Sequence, residues 1–490
     1  MSFAHVAERP STLTKQWTVR EYAGLLERLE PAEESASGDR WLQLFADWNA
    51  LKSYVDSEYC RLSYLYSKDL NNTVAEEAEK VHREEITPEG EKGDAQMVAG
   101  LLGSKHRAAI AERYGDQLLR YLEVKQPALA PQNSELRVQD GALVNRYEKL
   151  LSSGEVDVEG TKMTLERARS FFSSDKASTR RAAFDAYFGW FLENREQLAE
   201  IYSGLVALRD QQGKRLGHQN FVPLGYSNME RTDYGPTESA DFRASVARYA
   251  SPLFEKLCAQ QAACLGQETL RPWDAGYHPE LTLPMGVAEP VGEQLDKMER
   301  VFDRLSPKLS SHFKRMRREG LIDLENRKGK GAGAFCTSFS DEASVAILCN
   351  STGDESDIGT LAHEMGHAFQ GWESQWIEAV DLRWPSSDAC EIHSMGMEYL
   401  SLPFLDEFLN PEQLETFKRD RWRSGISLIC YVCTIDEFQH WVYEHPGANA
   451  DERDTQFAEI RSKYMPGLDW SGEAAKYEST RWYAQLHVFC

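Results

Sequence analysis

The sequence predicts a mainly α fold, and three observations support this. Long stretches of the first 150 residues carry apolar side chains at spacings of three and four, with abundant Glu, Lys and Arg between them. The signals for β-strands lie in two short regions, residues 155–165 and 321–352. An H-E-x-x-H motif begins at His363, inside a further stretch of helical period.

The first helices are expected where this amphipathic pattern is clearest, at residues 21–29, 40–65, 94–122 and 143–151. Residues 87–93 combine Pro with Gly, which predicts a loop. Residues 155–165 alternate around Glu159-Gly160, which predicts a small β-hairpin. Helices are expected to resume from residue 165 to about 215, and residues 404–490 are again helical and rich in aromatic side chains.

The second strand region lies directly before the H-E-x-x-H stretch. Its Gly-rich run at residues 329–333 does not match the phosphate-binding glycine patterns in register, so we expect a tight turn there. The apolar run that follows, residues 344–349, is expected to form an edge strand that faces the metal. In that position Val345, Ala346 and Ile347 would bind the backbone of an extended peptide.

The H-E-x-x-H motif predicts a zinc site. Residues four apart on a helix share a face, with Cβ atoms about 5–6 Å apart, so His363 and His367 can bind the same ion. Glu364 can then take a proton from the metal-bound water, as in metalloproteases.

The residues around the motif support a helix. Asp357 is expected to cap its start, and the apolar residues beyond it follow the helical period. Gly359 and Gly366 are unfavourable inside a helix, which predicts that another element approaches the metal face closely.

A catalytic zinc site needs a third protein ligand. The metzincin pattern does not supply it, because its further positions are Gln370 and Glu373 here. Carboxylates later in the chain are the candidates: Glu378, Asp381, Asp388, Glu391 and Glu398. A helix is expected to open near Ser386 or Ser387, with Glu391 about one turn into it. We take Glu391 as the ligand, with Glu398 or Asp388 as partners for the imidazole N–H groups.

Composition excludes several classes of function. The chain has 490 residues and a net charge of −23, which disfavours binding to phosphate backbones or to anionic membranes. Nine cysteines without framework spacing are typical of a reducing compartment. The sequence shows no signal-peptide pattern and no apolar run near the roughly 20 residues that a membrane span needs. These features predict a cytoplasmic protein.

The motif stretch resembles the oligoendopeptidase F family, which is related to thimet oligopeptidase and neurolysin. The resemblance rests on His363-Glu-Met-Gly-His367 and residues 388–395. Further matching segments lie at 270–274, 327–336, 436–441 and 485–489, so that it covers about residues 200–490. The 28 residues from His363 to Glu391 agree with the family's third-ligand position. The resemblance implies two helical lobes enclosing a deep channel. The strand signals predict a small β-sheet beside the zinc helix, and the histidine pair with a downstream carboxylate predicts one zinc ion per chain.

The end of the chain raises a separate question. On sequence alone His487 is best explained as a structural histidine, whereas the resemblance implies that it contacts the substrate or the oxyanion. The family's oxyanion-stabilising Tyr shortly after this His is missing, so we expect a catalytic domain that is cut short at its C-terminus. The nearby substitutes are Tyr464, Tyr477 and Tyr483. We divide the chain into a helical domain, 1–195, and a catalytic domain, 196–490.

The predicted function is zinc-dependent endopeptidase activity on short unfolded oligopeptides, with Glu364 as the base. The expected partners are oligopeptide substrates, and no nucleic-acid or membrane partner is expected. One alternative is a metallocarboxypeptidase of similar fold, which would need a cationic residue to bind the substrate's C-terminal carboxylate. Another is a non-catalytic protein that binds zinc and peptides, against which Glu364 argues because such a protein needs no base beside the metal.

Overall fold

The structure, a computed structural model, describes residue 10 and residues 12–284, 286–327, 329–331 and 333–489. The side chains outside this description within those ranges are Asn145, Glu148, Ser152, Glu166 and His487. The described chain is mainly α-helical with one two-stranded and one three-stranded sheet, which confirms the predicted fold class. None of its helices is long and apolar enough to cross a membrane.

The α-helices are α1 (Lys15–Leu26), α2 (Leu29–Glu33), α3 (Asp39–Lys68), α4 (Thr73–Val81), α5 (Thr87–Gly103), α6 (Arg107–Tyr114), α7 (Asp116–Ala128), α8 (Ser134–Ser152), α9 (Leu165–Ser170), α10 (Ala177–Glu193), α11 (Arg195–Arg215), α12 (Val222–Asn228), α13 (Pro236–Tyr249), α14 (Ser251–Cys264), α15 (Val291–Leu305), α16 (Pro307–Glu319), α17 (Glu355–Glu373), α18 (Cys390–Ser401), α19 (Pro411–Glu444), α20 (Ala450–Tyr464), α21 (Ala475–Glu478) and α22 (Leu486–Phe489). The strands are β1 (Glu155–Val158), β2 (Thr161–Thr164), β3 (Ile322–Glu325), β4 (Phe335–Phe339) and β5 (Ser344–Ser351).

The chain folds into two compact units, and each unit is built from three separate segments. Unit 1 consists of Met1–Pro131, Ser227–Thr232 and Pro284–Leu414, and unit 2 consists of Gln132–Tyr226, Asp233–Leu283 and Glu415–Cys490. This division differs from the linear boundary at 195/196, which lies inside unit 2 at the junction of α10 and α11. A change of composition along a chain can mark a change in local structure. It does not reveal which segments, distant in the sequence, pack together in one unit.

The three-stranded sheet of unit 1 lies between two helices. Its order is β3-β5-β4, with β5 parallel to β3 and antiparallel to β4. Tyr64 of α3 packs with Phe339, Ala346 and Leu348 on one face. On the other face α17 comes so close that a Cβ atom on its Gly371 would lie 3.0 Å from Cγ1 of Val345. The sheet therefore lies directly against the helix that carries the H-E-x-x-H motif.

The expectation that residues 344–349 form an edge strand is wrong. They belong to β5, which is the central strand, so both of its edges pair with neighbouring strands. Val345, Ala346 and Ile347 are completely buried between the helices that cover the two faces. Their backbone has no free edge for a peptide. An unbroken apolar run is typical of a strand covered on both faces, which explains why this run occupies the centre of the sheet.

Residues 87–93 are helical rather than a loop. The helix α5 begins at Thr87 after a short π-helical turn, and Pro88 lies in its first turn, where a missing N–H is tolerated. A Cβ atom on Gly93 would lie 2.0 Å from Cδ1 of Tyr22. This glycine therefore allows the Tyr22 ring to pack against α5, where its hydroxyl donates a hydrogen bond to Asp94 at 2.9 Å. The glycines that suggested a loop serve helix packing instead.

Unit 2 contains the predicted hairpin and an aromatic core. The strands β1 and β2 pair antiparallel, and the turn residues Glu159 and Gly160 have φ angles of 53° and 85°, which confirms the hairpin. In the core the ring of Tyr147 stacks on Phe489 with centroids 3.8 Å apart. The short helix α22, which contains Phe489, is thereby anchored in this core.

Candidate metal centre

The helix α17 carries both motif histidines. It begins at Glu355 with Asp354 at the N-cap position, so the expected cap at Asp357 is wrong. The carboxylate of Asp357 instead accepts hydrogen bonds from the backbone N–H groups of Thr352 and Gly353, at 3.0 and 2.6 Å. These bonds tie the helix start to the loop that follows β5.

The helix α18 supplies the carboxylate. It begins at Cys390, later than expected, so Glu391 lies in its first turn. The hydroxyl of Ser394 donates a hydrogen bond to Oε2 of Glu391 at 2.7 Å and thereby fixes the orientation of this carboxylate. A Cβ atom on Gly366 would lie 2.6 Å from the carbonyl oxygen of His393 on α18. The close approach predicted for Gly366 is therefore confirmed.

Three possible ligand atoms meet where the two helices touch. Oε2 of Glu391 lies 3.1 Å from Nε2 of His363 and 3.6 Å from Nε2 of His367. Ligand atoms about 2.0–2.1 Å from one tetrahedral zinc ion lie about 3.3–3.4 Å from each other, so these separations fit. In the described residues this is the one group of three His, Cys, Asp or Glu side chains close enough to hold a metal ion. Two imidazoles and one carboxylate are a common donor set for catalytic zinc.

The three side chains of this donor group have strongly shifted pKa values. Burial lowers the pKa of His363, but the hydrogen bonds to Glu391 and Glu398 have a larger, opposite effect. The pKa of His363 is therefore raised to about 10. The hydrogen bond from His363 lowers the pKa of Glu391 to about 2. Burial lowers the pKa of His367 to about 4. The opposite pKa shifts of His363 and Glu391 follow from the hydrogen bond between these two side chains.

Each histidine ligand has an outer hydrogen-bond partner. Nδ1 of His363 donates to Oε1 of Glu398 at 2.9 Å, which confirms Glu398 as a partner of an imidazole. Nδ1 of His367 lies 3.0 Å from Nε2 of His393, a residue for which the sequence suggested no role. His393 is two positions from Glu391, and residues two apart on a helix do not share a face. Only the close crossing of α17 and α18 brings its ring to His367, so no sequence signal pointed to it.

The other candidate carboxylates bind basic side chains. Asp388 accepts two hydrogen bonds from Arg231, at 2.7 and 3.1 Å, whereas Glu398, the other carboxylate considered for this role, bonds to His363. Two further candidates, Glu378 and Asp381, form ion pairs with Arg113 and Lys52 respectively. The pairing with Arg231 holds the loop before Glu391, because Asp388 lies three residues before that ligand.

Glu364 is a buried carboxylate that follows His363 directly in α17. It is 5% exposed, and its Oε2 atom is buried without a hydrogen-bond partner. The pKa of Glu364 is raised to about 7, mainly by burial. The charge of His363 lowers this pKa, and the charge of Glu391 raises it. A buried carboxylate oxygen without a partner is costly, which makes it a site that a water molecule or substrate group can fill. A carboxyl group of this pKa can both accept and release a proton near neutral pH.

The structure gives little support for an oxyanion-binding side chain near the end of the chain. The side chain of His487 lies outside the described part of the chain, so its role stays a prediction. Tyr464, Tyr477 and Tyr483 are all buried in the core of unit 2. Their burial disfavours each of them as a substitute for an oxyanion donor.

Family models match most of this chain. Residues 170–489 match the model of peptidase family M3, and residues 16–128 match the peptidase M3 N-terminal domain. A search of curated proteins found no match. The structure of PZ peptidase A with an inhibitor is similar, with a TM-score of 0.91 and 28% identity over 98% of this chain and 84% of that chain.

Two further solved structures are similar. A protein provisionally assigned as an oligoendopeptidase F is 27% identical, with a TM-score of 0.89 over 98% of this chain and 84% of that chain. Another, with the same provisional assignment, from Bacillus anthracis str. Ames, is 27% identical, with a TM-score of 0.85 over 98% of this chain and 86% of that chain. The family model spans more than half of the sequence, and this chain therefore belongs to peptidase family M3, with the oligoendopeptidase F structures as relatives.

Proposed function

We propose that this peptidase is a zinc-dependent endopeptidase that hydrolyses short unfolded oligopeptides. Family membership supports peptide hydrolysis, and the oligoendopeptidase F relatives support cleavage within short peptides. The observation that carries the metal-dependent step is the free Oε2 atom of Glu364, buried beside the donor group of His363, His367 and Glu391. Two imidazoles and a carboxylate with an adjacent base match the donor chemistry of zinc peptidases.

The side chains divide the work of hydrolysis. A zinc ion held by His363, His367 and Glu391 would polarise the scissile carbonyl and lower the pKa of a water molecule to about 7. Glu364 accepts a proton from the attacking water and delivers it to the leaving nitrogen. Glu398 keeps the ring of His363 oriented through the hydrogen bond to Nδ1.

The sheet offers one place for an extended substrate. In the described residues β4 has a strand partner on one side only, because it is an outer strand of the sheet. Burial and the charge of Glu364 raise the pKa of Cys336 on β4 well above its usual range, so this strand lies beside the base. We infer that the peptide adds to the free edge of β4 by main-chain hydrogen bonds, which would tolerate many side chains.

The decisive experiment uses peptides that are acetylated at the N-terminus and amidated at the C-terminus. The protein is stripped of metal with a chelator, zinc is restored, and products are identified by mass spectrometry. We expect internal cleavage that depends on zinc and is lost in Glu364→Gln. Cleavage only of peptides with a free C-terminus would favour a carboxypeptidase. Binding of both peptide types without cleavage would favour a non-catalytic protein.

The cytoplasmic location stays a prediction.

A further inference from the structure

The imidazole of His393 bonds directly to one of the proposed zinc ligands. Its Nε2 atom lies 3.0 Å from Nδ1 of His367, and the two ring centroids are 5.0 Å apart at an interplanar angle of 80°. No pattern in the sequence indicated a role for this residue, and the proposed hydrolysis does not require it to touch substrate.

Zinc binding by Nε2 of His367 would determine which nitrogen of each ring carries the proton. Nε2 of His367 is the atom that points to Glu391, at 3.6 Å, so it must keep a free lone pair to bind zinc. The proton of the neutral His367 ring therefore lies on Nδ1 and is donated to His393. His393 must accept it with Nε2, which places its own proton on Nδ1.

The neighbouring groups hold this pair in place. The indole of Trp384 stacks on His367 with centroids 5.6 Å apart and meets His393 edge-on at 6.1 Å. The backbone of α18 at His393 lies against Gly366, which keeps the base of this side chain close to α17. Both rings are thereby fixed by packing as well as by the hydrogen bond.

The two ligand histidines differ in the charge of their partners. His363 donates to the carboxylate of Glu398, whereas His367 donates to a neutral imidazole. A carboxylate partner makes a ligand imidazole more basic than a neutral acceptor does, and an outer partner fixes the tautomer and orientation of its ligand. His393 supplies this orientation without adding negative charge beside the metal.

We propose that His393 is a positioning residue that holds His367 in its metal-binding tautomer and orientation as a neutral hydrogen-bond acceptor. This proposal rests on the proposed function only in taking His367 as a zinc ligand, and it concerns metal affinity rather than cleavage. Losing an outer partner of a metal ligand typically lowers metal affinity or activity about 10–100-fold.

The test compares two substitutions in the full chain. His393→Leu removes the acceptor, whereas His393→Gln can place its amide oxygen near the position of Nε2. Zinc affinity is measured by competition with a chromogenic chelator, and the visible spectrum of the cobalt-substituted protein reports the ligand geometry. His445→Leu, at an exposed histidine directly after α19, is the matched control.

We expect His393→Leu to lower zinc affinity about 10–100-fold and to shift the cobalt spectrum, with His393→Gln and His445→Leu close to the parent protein. The melting temperature of the metal-free proteins shows whether His393→Leu still folds. Unchanged zinc affinity in a folded His393→Leu protein would overturn the proposal. An equal loss in both His393 variants would also overturn it, because the acceptor would then not matter. These outcomes are independent of whether any peptide is cleaved.

Discussion

Gly366 and Ser394 bring the two ligand-bearing helices into backbone contact. A Cβ atom on Gly366 would lie 2.6 Å from the Cα atom of Ser394. Ser394 also holds the carboxylate of Glu391 through its hydroxyl. The distance between the histidines of α17 and the carboxylate of α18 therefore depends on the absence of a side chain at position 366.

Replacing this glycine should disrupt the site. We expect Gly366→Ala to lower the free energy of unfolding by about 1–3 kcal/mol, because the new methyl group meets backbone atoms that cannot move alone. Zinc affinity should fall as α18 is pushed away. Gly396→Ala is the control, since a Cβ atom there meets nothing within 4 Å. Urea unfolding and zinc titration check both variants, and equal stability in the two would contradict the packing argument.

Removing the base should separate metal binding from turnover. We expect Glu364→Gln to keep zinc but to lose about 10²–10⁴-fold in kcat, the usual contribution of general acid–base catalysis. Glu373→Gln changes a carboxylate at the end of the same helix, where it pairs with Lys308 and His312, and should leave kcat unchanged. Metal analysis and steady-state kinetics measure the two effects. A near-normal kcat in Glu364→Gln would refute the assigned role.

The third ligand can be distinguished from its neighbour. We expect Glu391→Ala to lose zinc more severely than the about 10–100-fold typical of losing an outer partner, because one of three protein ligands disappears. Asp388→Asn should retain zinc, since Asp388 binds Arg231 rather than the metal group. Metal content after dialysis against a weak chelator measures both. Zinc retention in Glu391→Ala would show that another carboxylate completes the site.

Zinc binding should release a proton from His363. The pKa of His363 is about 10 without metal, whereas that of His367 is about 4, so near neutral pH only His363 carries a proton that zinc must displace. Protons compete more strongly as the pH falls, so affinity should drop about tenfold per unit between about pH 7 and pH 5.5.

This measurement is best made in Glu364→Gln, because Glu364, with a pKa of about 7, could otherwise release a second proton. Calorimetry in two buffers of different ionisation enthalpy counts the protons released. Adding Glu398→Gln removes one hydrogen bond that raises the pKa of His363, so zinc binding should then release fewer protons at the upper end of this pH range. An affinity independent of pH would show that His363 is already neutral.

Main-chain contacts should dominate substrate binding. If the peptide pairs with β4, N-methylation of backbone amides beside the scissile bond should raise KM, because each methyl group removes a hydrogen-bond donor. Each lost hydrogen bond is worth about 0.5–1.5 kcal/mol, or roughly a 2–12-fold increase in KM. Matched changes of side chain at the same positions should matter less. Equal tolerance of both changes would argue against strand addition.

The sequence by itself determined the features that depend on local spacing. Short patterns predicted the i, i+4 pair of His363 and His367, the adjacent carboxylate of Glu364, and the hairpin turn at Glu159-Gly160. The structure has each of them on the expected element. The seven-residue step from Glu391 to Glu398 likewise put both carboxylates on one face of α18.

Only the tertiary structure decided how these elements meet. Strand order placed β5 in the centre of the sheet, since an apolar run cannot reveal which strands pair on either side. The close crossing of α17 and α18 at Gly366 places His393 next to His367. Asp388 pairs with Arg231, which is distant in the sequence, rather than with the metal group. Such contacts join residues far apart in the chain, and local periodicity carries no information about them because it records only which face of one element is apolar.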